Sequence, residues 1–111
     1  FLGGRTREFL GVHGFPPGLV RTSLSLTGAT GASAVTYKTG ELAALAARGL
    51  VPAWAFGNTI TDAEAYDNGA ILPLEQRVMY QFTDDMWNAR RVDDSAELFP
   101  EIAAAPEPFC P

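Results

Sequence analysis

Near the middle of the chain an apolar stretch, Val51 to Phe56, runs into Gly57-Asn58 and then, four residues after the asparagine, Asp62. An amide and a carboxylate are oxygen donors, and oxygen donors suit Mg²⁺, a hard cation. In an open α/β sheet, ligands sit beyond the carboxyl ends of the strands, so a strand at Val51–Phe56 would carry Asn58 and Asp62 to a site. The same residues have a plainer reading, in which Asp62 only caps a helix and Asn58 only makes a tight turn.

Lys38 is the single lysine among eight cationic residues, the other seven being arginines. A lysine is a compact ammonium on a flexible stem, which an arginine fork cannot imitate. At the start of a helix, one strand before the Gly-Asn loop, such a cation could neutralise a phosphate and a carboxylate nucleophile during phosphoryl transfer. Its plainer reading is an exposed surface lysine. Other residues read as structural. His13 precedes Gly14 at a helix end and has no second histidine to share a metal or a triad. Gly28 to Ser33 meets neither the Walker nor the dinucleotide pattern. Trp54 and Phe56 read as core, Trp87 as exposed, and Asp93-Asp94 as a helix start favoured by the helix dipole.

The elements that must position Lys38, Asn58 and Asp62 follow from pattern and punctuation. Arg5 to Val12 predicts a helix stopped at Gly14, and Phe15-Pro16-Pro17-Gly18 a turn. Leu19 to Leu26 alternates as a short strand, and Thr27 to Ser33 reads as a Gly/Ala/Thr/Ser loop. Thr39 to Arg48 predicts a helix closed by Gly49, followed by the Val51–Phe56 strand with Pro52 near its start. Thr61 or Asp62 caps the next helix, which runs to Asn68-Gly69. Ala70 to Leu72 and Arg77 to Phe82 read as short strands around Pro73. Asp93 to Phe99 reads as a last helix ended by Pro100 or soon after, with 103–111 a loose tail. This alternation predicts an α/β fold with a parallel sheet flanked by helices.

Tyr37-Lys38-Thr39-Gly40-Glu41-Leu42, then an apolar strand, then Ala55-Phe56-Gly57-Asn58 to Tyr66, resembles the third and fourth motifs of the haloacid dehalogenase superfamily. The Phe-Gly-Asn-x-x-x-Asp-x-x-Ala-Tyr form is similar to the lipin-type phosphatase domain. Thr6 to Leu10 with His13-Gly14-Phe15-Pro16-Pro17-Gly18 resembles the helix and turn after the second motif there, so the resemblance covers residues 5 to 102. It implies a partial Rossmann-like sheet and hydrolysis of a phosphate monoester through an aspartyl-phosphate, with a second Asp as acid and base. It implies Mg²⁺ bridging nucleophile and phosphate. Lys38 then matches the catalytic cation of the third motif, and Asn58 and Asp62 match the metal loop. Where many relatives carry Asp, this chain has Asn58, one charge fewer at the metal.

No Asp-x-Asp-x-Thr occurs in the sequence, and Gly3 stands where the second motif needs a hydroxyl. With Phe1 opening almost directly into helix-like sequence, the expectation is the C-terminal part of such a domain, residues 1–111, with the nucleophile half outside it. That portion by itself is expected to be inactive.

Composition bounds the alternatives. At 111 residues, 47% hydrophobic and 19% charged, the chain has the content of one globular domain or part of one rather than of a disordered tail. A formal charge of −5, with Arg5/Arg7 and Arg90/Arg91 as its basic pairs, lacks the positive field that nucleic-acid binding requires. No apolar run is long enough to span a membrane. The one cysteine, Cys110, cannot form an internal disulfide, so compartment and oligomeric state stay open. Beside a small independent α/β protein with no such history, which the motif order disfavours, two functions remain in view. One is a phosphatase acting on a phosphorylated small molecule or on a phospholipid such as phosphatidate. The other is a non-catalytic module of the same fold that binds or senses phospholipid headgroups. Under either, Lys38 and Asp62 are expected to converge at one end of the sheet, within about 10 Å, roughly one screening length.

Overall fold

The computed structural model describes residues 3–21, 30–69, 74–83 and 86–106. The chain forms two compact units, Phe1–Thr30 and Gly31–Pro111. In the first, helix α1 spans Gly3–Val12, as the Arg5–Val12 pattern predicts. Gly14, at φ +73°, stops it in a conformation that only glycine adopts without strain. His13 packs its ring on Phe9, with centroids 4.3 Å apart, in keeping with a structural role. Residues 22–26 of the expected Leu19–Leu26 strand lie outside the described residues, as do Ala70–Leu72 and tail residues 107–111.

The second unit is mixed α/β, with a three-stranded parallel sheet in the order β1-β2-β3. Helix α2 spans Gly31–Ala46, so it starts eight residues before the predicted Thr39 and takes in part of the stretch read as a loop. The small-residue composition misleads there. Ala32 and Ala34 are strong helix formers, and Ala34 and Val35 are buried, which gives the first turns a packed face. Lys38 therefore lies in the middle of the helix rather than at its start. Gly49, at φ +77°, follows the helix as predicted.

Strand β1 is short, Ala55–Gly57. The predicted Val51–Phe56 strand fails in its first half. Pro52 has no N–H to give a ladder, and Val51 is 65% exposed rather than buried. Helix α3 spans Ile60–Asn68, close to its predicted bounds. It leads to β2, Arg77–Tyr80, which pairs in parallel with β1, Phe56 opposite Val78. β2 ends before the predicted Phe82 because Gln81 turns to φ +50°. Strand β3, Arg90–Val92, pairs with β2 in parallel and had no signal in the sequence, since Arg-Arg-Val is neither an apolar run nor an alternating one.

Two apolar clusters hold the sheet. On the α3 face, Ala63, Met79 and Phe82 pack together with Tyr66, Trp87 and Ala89 against them. Trp87, expected to be exposed, is instead half-buried there. On the other face Val78, Val92 and Leu98 pack with Trp54. Met79, Val78 and Leu98 are each at least 98% buried, worth about 1.5–3 kcal/mol apiece. Phe56, expected in the core, points away from α3 and is 55% exposed, stacked on Trp54 at 6.1 Å.

The last turns follow their caps. The Asp94 carboxylate accepts from the Ala96 N–H at 2.9 Å, while Glu97 accepts from the Asp94 N–H at 2.9 Å. This reciprocal cap starts the 3₁₀ turn Ser95–Leu98 and agrees with reading Asp93-Asp94 as a helix start. Helix α4, Phe99–Ala104, then passes through Pro100 rather than ending at it. Pro100 sits in its first turn, where a missing N–H costs nothing. A two-pronged pair from Arg90 to Glu101, 2.7 and 2.6 Å, ties α4 to β3.

Candidate functional site

Strand β1 delivers Gly57-Asn58 at its carboxyl end, and the chain turns at once into α3 with Thr59 as the N-cap (φ −125°, ψ 158°). Asp62 then falls on the third residue of the helix, close enough to reach back over the turn. Its Oδ2 accepts from the Asn58 N–H at 3.1 Å, the Thr59 N–H at 3.1 Å and the Thr59 hydroxyl at 2.9 Å. Three donors on one oxygen hold the 58–62 loop in a single shape. The N-cap is therefore Thr59 and not Thr61 or Asp62 as the sequence suggested; Asp62, at the third position, closes the reciprocal bond of a capping box, and that uses only half of its carboxylate.

The other oxygen, Oδ1, pairs with the Lys38 ammonium. Lys38 also donates to the Thr61 hydroxyl at 3.1 Å, and the Thr59 and Thr61 hydroxyl oxygens lie 3.0 Å apart. Lys38 is 34% exposed and Asp62 13%, so this is a partly buried pair rather than a loose surface contact. Residues 24 apart in sequence meet because α2 and α3 lie side by side and run the same way. Lys38 meets Thr61 and Asp62 at the start of α3. One turn on, Leu42 meets Gly69 at its end, where a Cβ on Gly69 would come within 2.7 Å of Leu42 Cδ1. The expected convergence of Lys38 and Asp62 is present, and closer than 10 Å. Asn58 joins through its backbone N–H, with its side chain exposed.

Burial alone would raise the Asp62 pKa. The Lys38 ammonium, the Asn58 and Thr59 N–H groups and the Thr59 hydroxyl outweigh it and hold the carboxylate below its ordinary value of 3.8. One turn further along α3, the Tyr66 hydroxyl donates to the Phe56 carbonyl of β1 at 2.5 Å. Burial, with the Asp62 charge adding to it, pushes the Tyr66 phenol up to about 12. Tyr66 thus stays protonated and clamps the helix to the strand that carries the loop.

A hard cation takes about six oxygen ligands. Asn58 and Asp62 offer fewer, and the Asp62 oxygens already carry hydrogen bonds. Among the described residues no group of three or more His, Cys, Asp or Glu side chains is placed to hold a metal ion. By themselves these residues make at most one side of a Mg²⁺ shell.

Gly57, Thr59, Thr61 and Tyr66 belong to the site although sequence reading gave them no role in it. The signal available was positional: Tyr66 is four residues after Asp62 and so on the same helix face. No helix among the described residues is long and apolar enough to cross a membrane. Comparisons with family models, with curated proteins and with solved structures find no match to this chain.

Proposed function

We propose that this chain is the cation-and-loop portion of a Mg²⁺-dependent phosphate monoester hydrolase of the haloacid dehalogenase type, similar to the lipin-type domain. The observation that carries this reading is the meeting of Lys38 with Asp62 at the carboxyl end of β1. A surface lysine and a simple helix cap have no reason to meet across 24 residues of chain. The parallel three-stranded sheet supports a Rossmann-like arrangement.

In this reading Lys38 is the catalytic cation that offsets charge on the phosphate and on the nucleophile. Asp62 fixes Lys38 and the loop, and Asn58 and Asp62 would supply oxygen donors for one side of the metal's shell. Mg²⁺, when bound, supplies Lewis-acid polarisation of the phosphate. The nucleophile, an Asp-x-Asp pair absent from these 111 residues, comes from sequence outside them. The substrate class is a phosphorylated small molecule or a phospholipid headgroup, phosphatidate included.

The test is a longer chain from the parent gene that includes an Asp-x-Asp segment, assayed with a generic phosphate ester and Mg²⁺. Turnover that disappears in Lys38→Ala supports the proposal, and so does the absence of turnover by the 111-residue chain alone. Turnover by the short chain, or a longer chain whose activity ignores Lys38, defeats it. A substituted first Asp in the parent sequence points instead to a non-catalytic headgroup-binding module.

A further inference from the structure

The hydroxyls of Thr59 and Thr61 have one proton each, and the distances leave little freedom in where those protons go. The Thr59 proton goes to Asp62 Oδ2, because an ionised carboxylate only accepts. The 3.0 Å contact between the two threonines must then run from the Thr61 hydroxyl to the Thr59 oxygen. Thr61, its proton spent, accepts from Lys38. Lys38 also donates to Asp62 Oδ1, which closes a ring: Lys38 to Thr61, Thr61 to Thr59, Thr59 to Asp62, and Lys38 again to Asp62. Two of the three ammonium protons are used in the ring, and one is left over among the described residues.

We propose that Thr61 is a positioning residue that aims the Lys38 ammonium. An ammonium held by a single acceptor still spins about that contact, whereas one held by two acceptors has its third N–H fixed by tetrahedral geometry. Asp62 supplies the first acceptor and the charge; Thr61 supplies the second and therefore the direction. Lysine needs this more than arginine would, since its point charge sits on a flexible stem. The aiming stands on the hydrogen-bond ring alone. That the third N–H meets a phosphate oxygen rests on the phosphatase reading.

Because Lys38 is the only lysine, ¹⁵N-lysine labelling of the full 111-residue chain gives one side-chain ammonium signal. In the wild type that signal should show slow hydrogen exchange and restricted motion. Thr61→Val, which keeps the shape and removes the hydroxyl, should speed exchange by about tenfold or more, the weight of one hydrogen bond to a charged group. Thr61→Ser should restore the slow signal, and the backbone amide spectrum reports whether each variant folds. If the valine variant does not fold, Thr61→Ala, a better helix former, gives the same readout. Inorganic phosphate is then titrated while the Lys38 signal is followed, with a loss of affinity of about tenfold expected in Thr61→Val and recovery in Thr61→Ser. An unchanged Lys38 signal in Thr61→Val, or a serine variant as loose as the valine one, overturns the positioning role. Loosening with serine rescue, but no response to phosphate in any variant, leaves the aiming in place and overturns only the meeting of the third N–H with phosphate in this 111-residue chain.

Discussion

Gly57 and the Asp62 side chain occupy almost the same space: a Cβ on residue 57 would lie 2.5 Å from Asp62 Cβ, 2.7 Å from its Cγ and 2.8 Å from Oδ2. Real carbon atoms do not approach so closely, so the last residue of β1 must be glycine for Asp62 to fold back over the loop. Gly57→Ala is expected to push Asp62 off the Asn58 and Thr59 N–H groups and away from Lys38. The expected loss of stability is about 1–3 kcal/mol, the usual range for overpacking at a tight site. Urea melts of the two proteins measure it, and equal midpoints would show that the loop has room to give.

Tyr66 yields a prediction at the other end of the pH scale. Its phenol is raised to about 12 from an ordinary 10, chiefly by burial and then by the Asp62 charge. For a group raised on folding, the stabilising contribution is full below the unfolded value and is lost as pH rises through the folded one. An absorbance titration of phenolate should show Tyr66 ionising late, together with unfolding above about pH 10. Tyr66→Phe should remove the late step and lower stability near neutrality by about 1 kcal/mol, through loss of the bond to the Phe56 carbonyl. A wild-type titration that differs from that of Tyr66→Phe only near the ordinary value of 10 would rule this out.

The parts of this molecule that could be read from sequence are those fixed by local chemistry. Helix α3 was legible because a Thr/Asp cluster opens it and Asn68-Gly69 closes it, although the cap is Thr59 rather than the expected Thr61 or Asp62, and the α/β alternation because turns separate its elements. The meeting of Lys38 with Asp62 was legible only through motif order, since spacing alone equally suits a cap and a surface lysine. What escaped depends on tertiary contact. The early start of α2 is stabilised by burial of Ala34 and Val35, which a Gly/Ala/Thr/Ser run does not announce. Strand β3 exists through its register with β2, not through an apolar pattern of its own. The hydroxyls of Thr59 and Thr61 look like loop punctuation until the helix turn brings them together with Lys38.

Acid should undo the site in a defined order. Asp62 is held below its ordinary 3.8, with Lys38 and the loop donors outweighing burial. For a carboxylate lowered on folding, the unfolded chain binds the proton more readily. Its stabilisation is therefore complete above about 3.8 and fades as pH falls through the lower folded value. Asp62→Asn should thus be less stable than the wild type by about 1–3 kcal/mol near neutrality, and the gap should narrow as pH falls below 3.8 and through the lower folded value. Parallel denaturant melts across that range measure it. A gap that stays constant with pH would mean that the Asp62 charge contributes nothing.

The last prediction concerns the outer edge of β1. Within the described sheet β1 has β2 on one side and no strand on the other. Proteins guard such edges with lysine, proline or a bulge, and Ala55-Phe56-Gly57 has none of these. Phe56 adds an aromatic surface that is 55% exposed and stacked with Trp54 beside that edge. Although the Phe56 carbonyl is taken by Tyr66, an edge without a strand in the described sheet and beside exposed apolar side chains offers a template for another strand, so the 111-residue chain alone is expected to associate at micromolar concentration. Phe56→Lys should suppress association while leaving the fold intact, because its side chain points away from the Ala63–Met79–Phe82 cluster. Sedimentation velocity over a dilution series checks both statements. A single monomeric species at every concentration would mean that the edge is already covered, and would remove the place beside β1 where a further strand could pair.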